Sequence, residues 1–145
     1  MIADTTWYVG GMTSTNGYNS NAKTAYNYEV GANKDANTTV TSKIGLMYVS
    51  DYYYGANPEY WTLPGYDENG TYDSSTNTWT GDDYSKAYSD NWMSTGLYEW
   101  TSSRVSDASF SAFFVIVDGC VDWFLVDNCI VVRPSFNLTS SVKYE

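Results

Sequence analysis

The sequence AFFVIVDGCVDWFLVDNCI, at residues 112–130, decides the fold. Residues 112–117 are uniformly apolar and rich in β-branched and aromatic side chains, a pattern that is typical of a buried strand. Asp118-Gly119 follows, a dipeptide that favours the tight turn of a β-hairpin. Because residues 120–126 have strand character as well, the stretch predicts two antiparallel strands joined by this turn.

Further short strands are predicted downstream of this hairpin. Asp127-Asn128 is a second turn signal, and residues 129–133 form another strand, which Pro134 ends or places at a sheet edge. Residues 136–142 return as a terminal strand. The C-terminal third is therefore predicted to be a β-meander.

The part of the chain upstream of the hairpin has weaker patterns. Residues 43–49 indicate a buried strand, and Ser50-Asp51-Tyr52 begins an aromatic turn. Residues 55–90 form a long irregular loop that is rich in Gly, Asn, Asp, Ser and Tyr. Residues 23–36 allow one or two short helices. The fold class predicted is α+β, with mostly short antiparallel strands and long loops.

The two strands of the hairpin are apolar on both faces. A half-buried strand alternates apolar and polar residues, but residues 113–117 and most of residues 123–126 do not. One face can supply the core. The other is either covered by the rest of the domain or exposed as an apolar patch, and exposed patches are often binding surfaces. Both arrangements remain open at this point.

Length, charge and composition exclude several functions. A chain of 145 residues has the size of one domain. Its formal charge of -10 would repel phosphate backbones and anionic lipids, so we expect neither nucleic acid nor a membrane surface as partner. The absence of histidine removes the common catalytic triads and histidine zinc sites. The sequence contains no run of eighteen apolar residues, so we expect no membrane insertion.

Acidic residues suggest two further sites, for which a structural interpretation is favoured. Asp67, Asn69, Thr71 and Asp73 alternate as in a calcium loop, but Thr78 stands where a closing Glu is required, so a solvated loop without metal is expected. Glu99 is expected to be partly buried and paired with Arg104 or Arg133. We therefore expect no metal, no cofactor and no enzymatic activity.

The distribution of residue types differs between the two parts of the chain. Residues 1–100 contain four Lys, four Glu, four Met and five Trp, whereas residues 101–142 contain only Trp123 from these types. Gln is absent throughout. Lys, Glu, Met, Trp and Gln are the five residue types that cannot arise when the adenines of the asparagine codon AAC are replaced by any base. Strands also contain few Lys and Glu residues. The low content of these types after residue 100 is therefore explained either by strand structure or by replaced adenines in asparagine codons.

Four segments resemble the framework of variable proteins made by diversity-generating retroelements of gut bacteria and their phages. They are KIGLMYVSD at residues 43–51, NWM at 91–93, YEWT at 98–101 and VRPSF at 132–136. The resemblance covers about residues 43–144 and implies a C-type lectin-like fold. It makes residues 1–145 a single domain, with an N-terminal portion at 1–42 and a candidate variable region at 101–137.

The resemblance also implies which residues vary. In such proteins a reverse transcriptase rewrites adenines in a C-terminal repeat, and the substituted side chains form a ligand-binding surface. The implied ligand-binding positions are Ile116, Asp118, Cys120, Asp122, Phe124, Leu125, Asp127, Cys129 and Ile130, with Ser106, Asp107, Ser109 and Phe110 as further candidates. The implied framework positions are Ala112, Phe113, Val115, Gly119, Val121, Val126, Val132, Arg133 and Pro134. Trp123 departs from the pattern and is assigned to the scaffold.

Together these features predict a hypervariable, adhesin-like binding domain displayed on a cell surface or virion. Its ligand is expected to be a protein or another cell-surface molecule, because Ile116, Phe124, Leu125 and Ile130 would form an apolar patch. A ligand with a basic rim would suit the negative charge. Two alternatives are kept: a lectin or glycan-active enzyme that uses the acidic loop, and a structural pilus or tail subunit.

Overall fold

The computed structural model of the chain describes residues 2–18, 20–62, 71–73, 75, 78–80 and 91–139. It is an α+β structure with few helices and short, mostly antiparallel strands, which confirms the predicted fold class. In chain order the elements are β1 (Thr5–Tyr8), α1 (Ser14–Tyr18), α2 (Ala22–Glu29), β2 (Thr39–Ser42), β3 (Gly45–Leu46), α3 (Val49–Tyr54), a 3₁₀ turn (Pro58–Tyr60), β4 (Thr71–Asp73), β5 (Thr78–Thr80), β6 (Glu99–Arg104), β7 (Ser111–Val115), β8 (Val121–Leu125), β9 (Val131–Val132) and β10 (Pro134–Ser135).

The largest sheet has four strands in the order β8-β7-β6-β9. Strands β7 and β8 pair antiparallel from Ser111 opposite Leu125 to Val115 opposite Val121, so the predicted hairpin is confirmed. Its turn begins at Ile116, whose carbonyl accepts a hydrogen bond from the Gly119 N–H at 2.9 Å. Gly119 has a φ of 91°, a backbone conformation that glycine adopts without the steric cost of a side chain.

The predicted meander is wrong beyond this hairpin. After the second turn the chain does not pair back onto β8. Instead β9 crosses to the far edge of the sheet and runs parallel to β6, with Val131 opposite Glu99. Strand β10 then pairs with β3. Residues 136–139 contain no strand, only a bridge between Leu138 and Ile2, and residues 140–142 lie outside the described residues.

The upstream predictions hold in part. The short helix predicted within residues 23–36 is α2, which begins after Asn21, whose side chain accepts a hydrogen bond from the Thr24 N–H at 2.9 Å. The strand predicted at residues 43–49 is confined to β3. The turn predicted at residues 50–52 is wrong, because these residues belong to α3. Most of the loop at residues 55–90 lies outside the described residues, and β4 and β5 pair within it.

The core lies between the helices and one face of the four-stranded sheet. That face contributes the side chains of β7 and β8 that alternate inward, and α2 and α3 cover it together with the segment around Met12. The buried cluster comprises Met12, Ala22, Ala25, Met47, Val49, Tyr52, Tyr53, Val105, Phe113, Val115 and Val121. Burying one such large apolar side chain stabilises the fold by about 1.5–3 kcal/mol. In the described parts of the chain, no helix combines the length and apolarity needed to cross a membrane.

Candidate functional site

The second face of the four-stranded sheet points away from the core. Because side chains alternate along a strand, Phe114 faces opposite to Phe113 and Val115, which are buried in the core. The register places Phe114 beside Asp122 and Ala112 beside Phe124, so these four side chains share the outer face. This outer face is where the structure forms a cavity.

The cavity is an open depression of about 470 Å³. Four parts of the chain build it. They are the residue before β6, the end of β7, the middle of β8 and the segment at and after the second turn. The described residues that line it are Tyr98, Phe114, Ile116, Asp122, Phe124, Asn128, Cys129 and Ile130. Three aromatic rings, two isoleucines and a few polar groups give it the composition of a small-molecule or side-chain binding site.

Hydrogen bonds fix the polar groups around the cavity. The Asp122 Oδ1 accepts a hydrogen bond from the Trp123 N–H at 2.7 Å. The Asn128 Nδ2 donates to the Leu125 carbonyl at 2.9 Å and to the Asp127 Oδ1 at 3.2 Å. Because these bonds are made to nearby backbone or side-chain groups, the carboxylate and the amide keep defined positions at the cavity.

Five of the side chains predicted to bind a ligand meet at this cavity: Ile116, Asp122, Phe124, Cys129 and Ile130. Phe124 is 49% exposed, and Ile116 and Ile130 are half-buried. The structure therefore brings together three of the four apolar residues that were expected to form an exposed patch. The fourth, Leu125, is exposed but alternates to the opposite side of β8.

The other predicted positions do not line the cavity. Asp118 and Asp127 are exposed at the turns before and after β8, and the further candidates lie on the connection between β6 and β7. There, Phe110 is 74% exposed, while Asp107 accepts hydrogen bonds from the Ser14 N–H and hydroxyl, which lower the pKa of its carboxyl group. Ser106 and Ser109 are exposed.

Four sequence assignments differ from the structure. Cys120 was expected to face outward, but it is fully buried, because Tyr60 and Ile116 pack against it. Val126 was assigned to the framework, but it is 55% exposed just after β8 ends. Val132 and Pro134, also assigned to the framework, are exposed on β9 and β10. Trp123 packs against the core, as its assignment to the scaffold requires.

Three residues of the cavity were not among the predicted sites. Tyr98 and Phe114 have ring centroids 6.0 Å apart and form an aromatic wall. The apolar run that contains Phe114 could not show which way its side chain points, since both faces are apolar. Asn128 carries a signal that could have found it: it lies between the predicted positions Asp127 and Cys129, and asparagine is the residue that AAC, the codon of the hypothesis, encodes.

Polar contacts beneath the sheet hold the segments that build the cavity. The Arg133 guanidinium donates to the Glu99 carboxylate at 2.7 Å and to the Met93 carbonyl at 2.9 Å, which confirms one of the two predicted partners of Glu99. The Thr95 hydroxyl donates to the same carboxylate at 2.8 Å. The Tyr52 hydroxyl donates to the Gly119 carbonyl at 2.9 Å and so ties α3 to the hairpin turn.

A buried carboxylate lies elsewhere in the molecule, at the start of α3. Glu29 accepts hydrogen bonds from the N–H groups of Val49 and Ser50, each at 3.0 Å, and from the Ser103 hydroxyl. Burial raises the pKa of Glu29 to about 7 despite these donors. Its three partners belong to the scaffold, so Glu29 acts as a remote cap for α3.

The described residues include only part of the predicted calcium-like loop. Among them, no three His, Cys, Asp or Glu side chains lie close enough together to hold an ion. In the calcium-like pattern, Asp67 and Asn69 lie outside the described residues, while Thr71 and Asp73 begin and end β4. Comparisons with models of known protein families, with curated proteins and with solved structures gave no match to this chain.

Proposed function

We propose that this chain is a ligand-binding domain whose outer sheet face and adjoining turns carry side chains diversified by a retroelement. The observation that carries the proposal is the meeting of Ile116, Asp122, Phe124, Cys129 and Ile130 around one cavity. These five residues are among the thirteen positions that the family resemblance implies to be variable. A cavity that gathers side chains from β7, β8 and the following segment is suited to non-covalent recognition.

The two faces of the hairpin support this function because they separate folding from binding. Phe113, Val115 and Val121 are buried in the core, and main-chain pairing holds β7 between β6 and β8. Side chains on the outer face contribute less to the core. Substitutions at exposed positions usually change stability by no more than about 0.5 kcal/mol, so this face can vary while the fold is retained.

The proposal includes the C-type lectin-like fold and display on a cell surface or virion, both implied by the sequence resemblance. The α+β architecture is compatible with that fold. The scarcity of Lys, Glu, Met and Trp after residue 100, and the absence of Gln, fit codons rewritten at adenines. A protein on the surface of another cell is the proposed ligand.

The test compares the DNA of this locus between closely related strains and searches its neighbourhood for a reverse transcriptase gene and a template repeat. We expect the differences to fall at template adenines and to concentrate in the codons of the cavity residues. The codons of Phe113, Val115 and Val121, which encode the inner face of the same hairpin, serve as the internal control and should stay constant. Differences spread evenly over both sets would contradict the proposal.

A further inference from the structure

We propose that the cavity binds an arginine side chain from a basic segment of the protein ligand. This inference rests on the proposed function, because it assumes that the outer face of the hairpin is the ligand-binding face. It adds the chemistry of the group that enters the cavity: a planar cation that stacks on aromatic rings and pairs with one carboxylate.

The position of Asp122 provides the negative charge. Asp122 pairs with Phe114 across β7 and β8, an arrangement that places the two Cβ atoms about 5 Å apart on the same face. Phe124 lies two residues further along β8 and therefore on that face as well. The carboxylate thus stands between two aromatic side chains, and its hydrogen bond from the Trp123 N–H fixes its orientation.

The aromatic wall provides the second attraction for a cation. The rings of Tyr98 and Phe114 lie 6.0 Å apart at an interplanar angle of 33°. Phe114 is 7% exposed and supports Tyr98, which is 48% exposed and presents the ring against which a flat group can lie. A guanidinium within about 6 Å of a ring centroid is attracted by the negative face of that ring. Arginine fits better than lysine, since its guanidinium is planar and more weakly hydrated than an ammonium group.

Among the described residues that line the cavity, the one charged side chain is that of Asp122. Residues 105–130 contain four Asp and no Lys or Arg. Two of these acids, Asp118 and Asp127, are exposed at the two ends of β8. An arrangement of this kind attracts a basic segment and repels an acidic one during association.

The same carboxylate argues against a purely apolar occupant. An apolar group that filled the cavity would shield the Asp122 carboxylate from water without offering it a hydrogen-bond donor. Desolvating a charge without such compensation is costly. A volume of about 470 Å³ lies within the range of about 300–1,000 Å³ that small ligands and anchoring side chains occupy. A single arginine with its neighbouring backbone is therefore an appropriate size.

The experiment is an NMR titration of the full chain with the peptide acetyl-Gly-Arg-Gly-amide, followed through the ring resonances of Tyr98, Phe114 and Phe124. The control peptide replaces arginine by citrulline, which has the same shape without the charge. We expect saturable shifts with the arginine peptide and binding weaker by about fivefold or more with the citrulline peptide. A lysine peptide should bind less tightly than the arginine peptide.

Two variants locate the charge that is responsible. Asp122→Asn keeps an oxygen that can accept the Trp123 hydrogen bond and should reduce arginine binding to the citrulline level. Asp35→Asn is the matched control: it removes an exposed charge that does not line the cavity, and its oxygen can still accept from the Asn37 N–H, a bond of 2.9 Å in the structure. It should change the affinity by less than about twofold, as expected for an exposed charge screened by salt.

Each other outcome would overturn a defined part of the inference. Equal binding of the arginine and citrulline peptides would exclude charge recognition, although the cavity would remain a binding site. Equal binding of arginine and lysine would remove the choice of a guanidinium. If neither peptide shifted the three rings, the arginine inference would fail, while the proposed function would still be decided by the comparison of strains, which does not depend on the ligand.

Discussion

At the residue scale, Glu29 illustrates how one buried carboxylate organises the scaffold. It has no exposed surface, yet it accepts hydrogen bonds from the first two N–H groups of α3 and from Ser103 on β6. These contacts satisfy backbone donors that a helix leaves without internal partners at its N-terminus. Removal from water opposes the charged form and raises its pKa to about 7.

This pKa predicts a pH-dependent stability. Between pH 4.5, the ordinary pKa of Glu29, and about 7, the folded state keeps a proton that the unfolded chain has released. The stabilisation is therefore fully present below pH 4.5 and is lost as the pH rises through 7. Urea unfolding of the wild type and of Glu29→Gln at pH 4.5 to 8 should show the wild type losing up to about 3 kcal/mol relative to the variant.

The comparison with Glu29→Gln isolates this group from its neighbours. The pKa of Asp51 is also raised, mainly by burial, whereas hydrogen bonds lower the pKa of the exposed Asp35 and Asp107. The contributions of Asp35 and Asp107 are present in both proteins and cancel in the difference, whereas the charge of Asp51 is one of the causes that raise the pKa of Glu29. A difference between the two proteins that did not change with pH would show that Glu29 is ionised over the whole range.

At the scale of elements, the β7–β8 hairpin has two faces with different roles. Phe113 on β7 is 1% exposed and packs in the core, whereas Phe124 on β8 is 49% exposed on the opposite face. The two residues are of the same type and lie on neighbouring strands. They therefore provide a direct measure of how much each face contributes to stability.

Alanine substitutions at these two positions should differ strongly in their effect. Phe113→Ala removes a fully buried ring and is expected to lower the free energy of unfolding by about 3–5 kcal/mol. Phe124→Ala removes a half-exposed ring and should cost about 1 kcal/mol or less. Urea denaturation of both variants checks this. Similar losses for the two would mean that the outer face is part of the folding core.

Longer elements were easier to predict from the sequence than shorter ones, because a longer element shows more of its hydrophobic pattern. The hairpin was predictable because its two five-residue strands flank an Asp-Gly signal. Strands β3 and β9 have two residues each, so no periodicity could reveal them or the parallel crossover to β6. Helix α3 has the sequence VSDYYY, which favours a strand or turn, but burial of Tyr52 and Tyr53 and the cap from Glu29 override local preference.

The sequence predicted part of the residues that line the cavity but not its shape. The predicted variable positions came from a resemblance to a family and from codon arithmetic, and five of these thirteen positions meet at the cavity. Neither source could show that Cys120 is buried, since its burial depends on packing against Tyr60, which is distant in sequence. Tyr98 is distant in sequence and joins the cavity only because β6 lies beside β7.

At the scale of the whole molecule, the fold divides into a scaffold and a surface. Helices α2 and α3 and the inner face of the hairpin contribute most of the buried cluster, whereas the cavity lies on the other side of the same sheet. Interactions on the two sides share the backbone but few side-chain contacts, although Ile116 also packs against the buried Cys120. Substitutions on the cavity side are therefore expected to have small, nearly additive effects.

A variant with several changes at once tests this division. All five substitutions are reachable from the asparagine codon: Ile116→Thr, Asp122→Asn, Phe124→Tyr, Cys129→Ser and Ile130→Thr. We expect the variant to fold with an unchanged far-UV circular dichroism spectrum and to lose about 3 kcal/mol or less, because none of the five side chains is fully buried. Thermal and urea unfolding measure the loss.

The matched control introduces the same kinds of change on the inner face, as Phe113→Tyr, Val115→Thr and Val121→Thr. Each places a hydroxyl group in the core, at a cost of about 1–3 kcal/mol where no hydrogen-bond partner exists. Fewer substitutions should therefore cause a greater loss than the five outer ones. A larger loss from the outer set would contradict the division into scaffold and surface.

Most residues that line the cavity come from one short segment of the sequence, and this has a consequence for inheritance. Six of its eight lining residues lie between Ile116 and Ile130, a tract of 15 codons. Under the proposed retroelement diversification, one copying event across this short piece of gene would replace most of the side chains that line the cavity, while the tyrosine and phenylalanine outside the tract would stay constant. Progeny would then differ in the target they recognise while keeping the same fold.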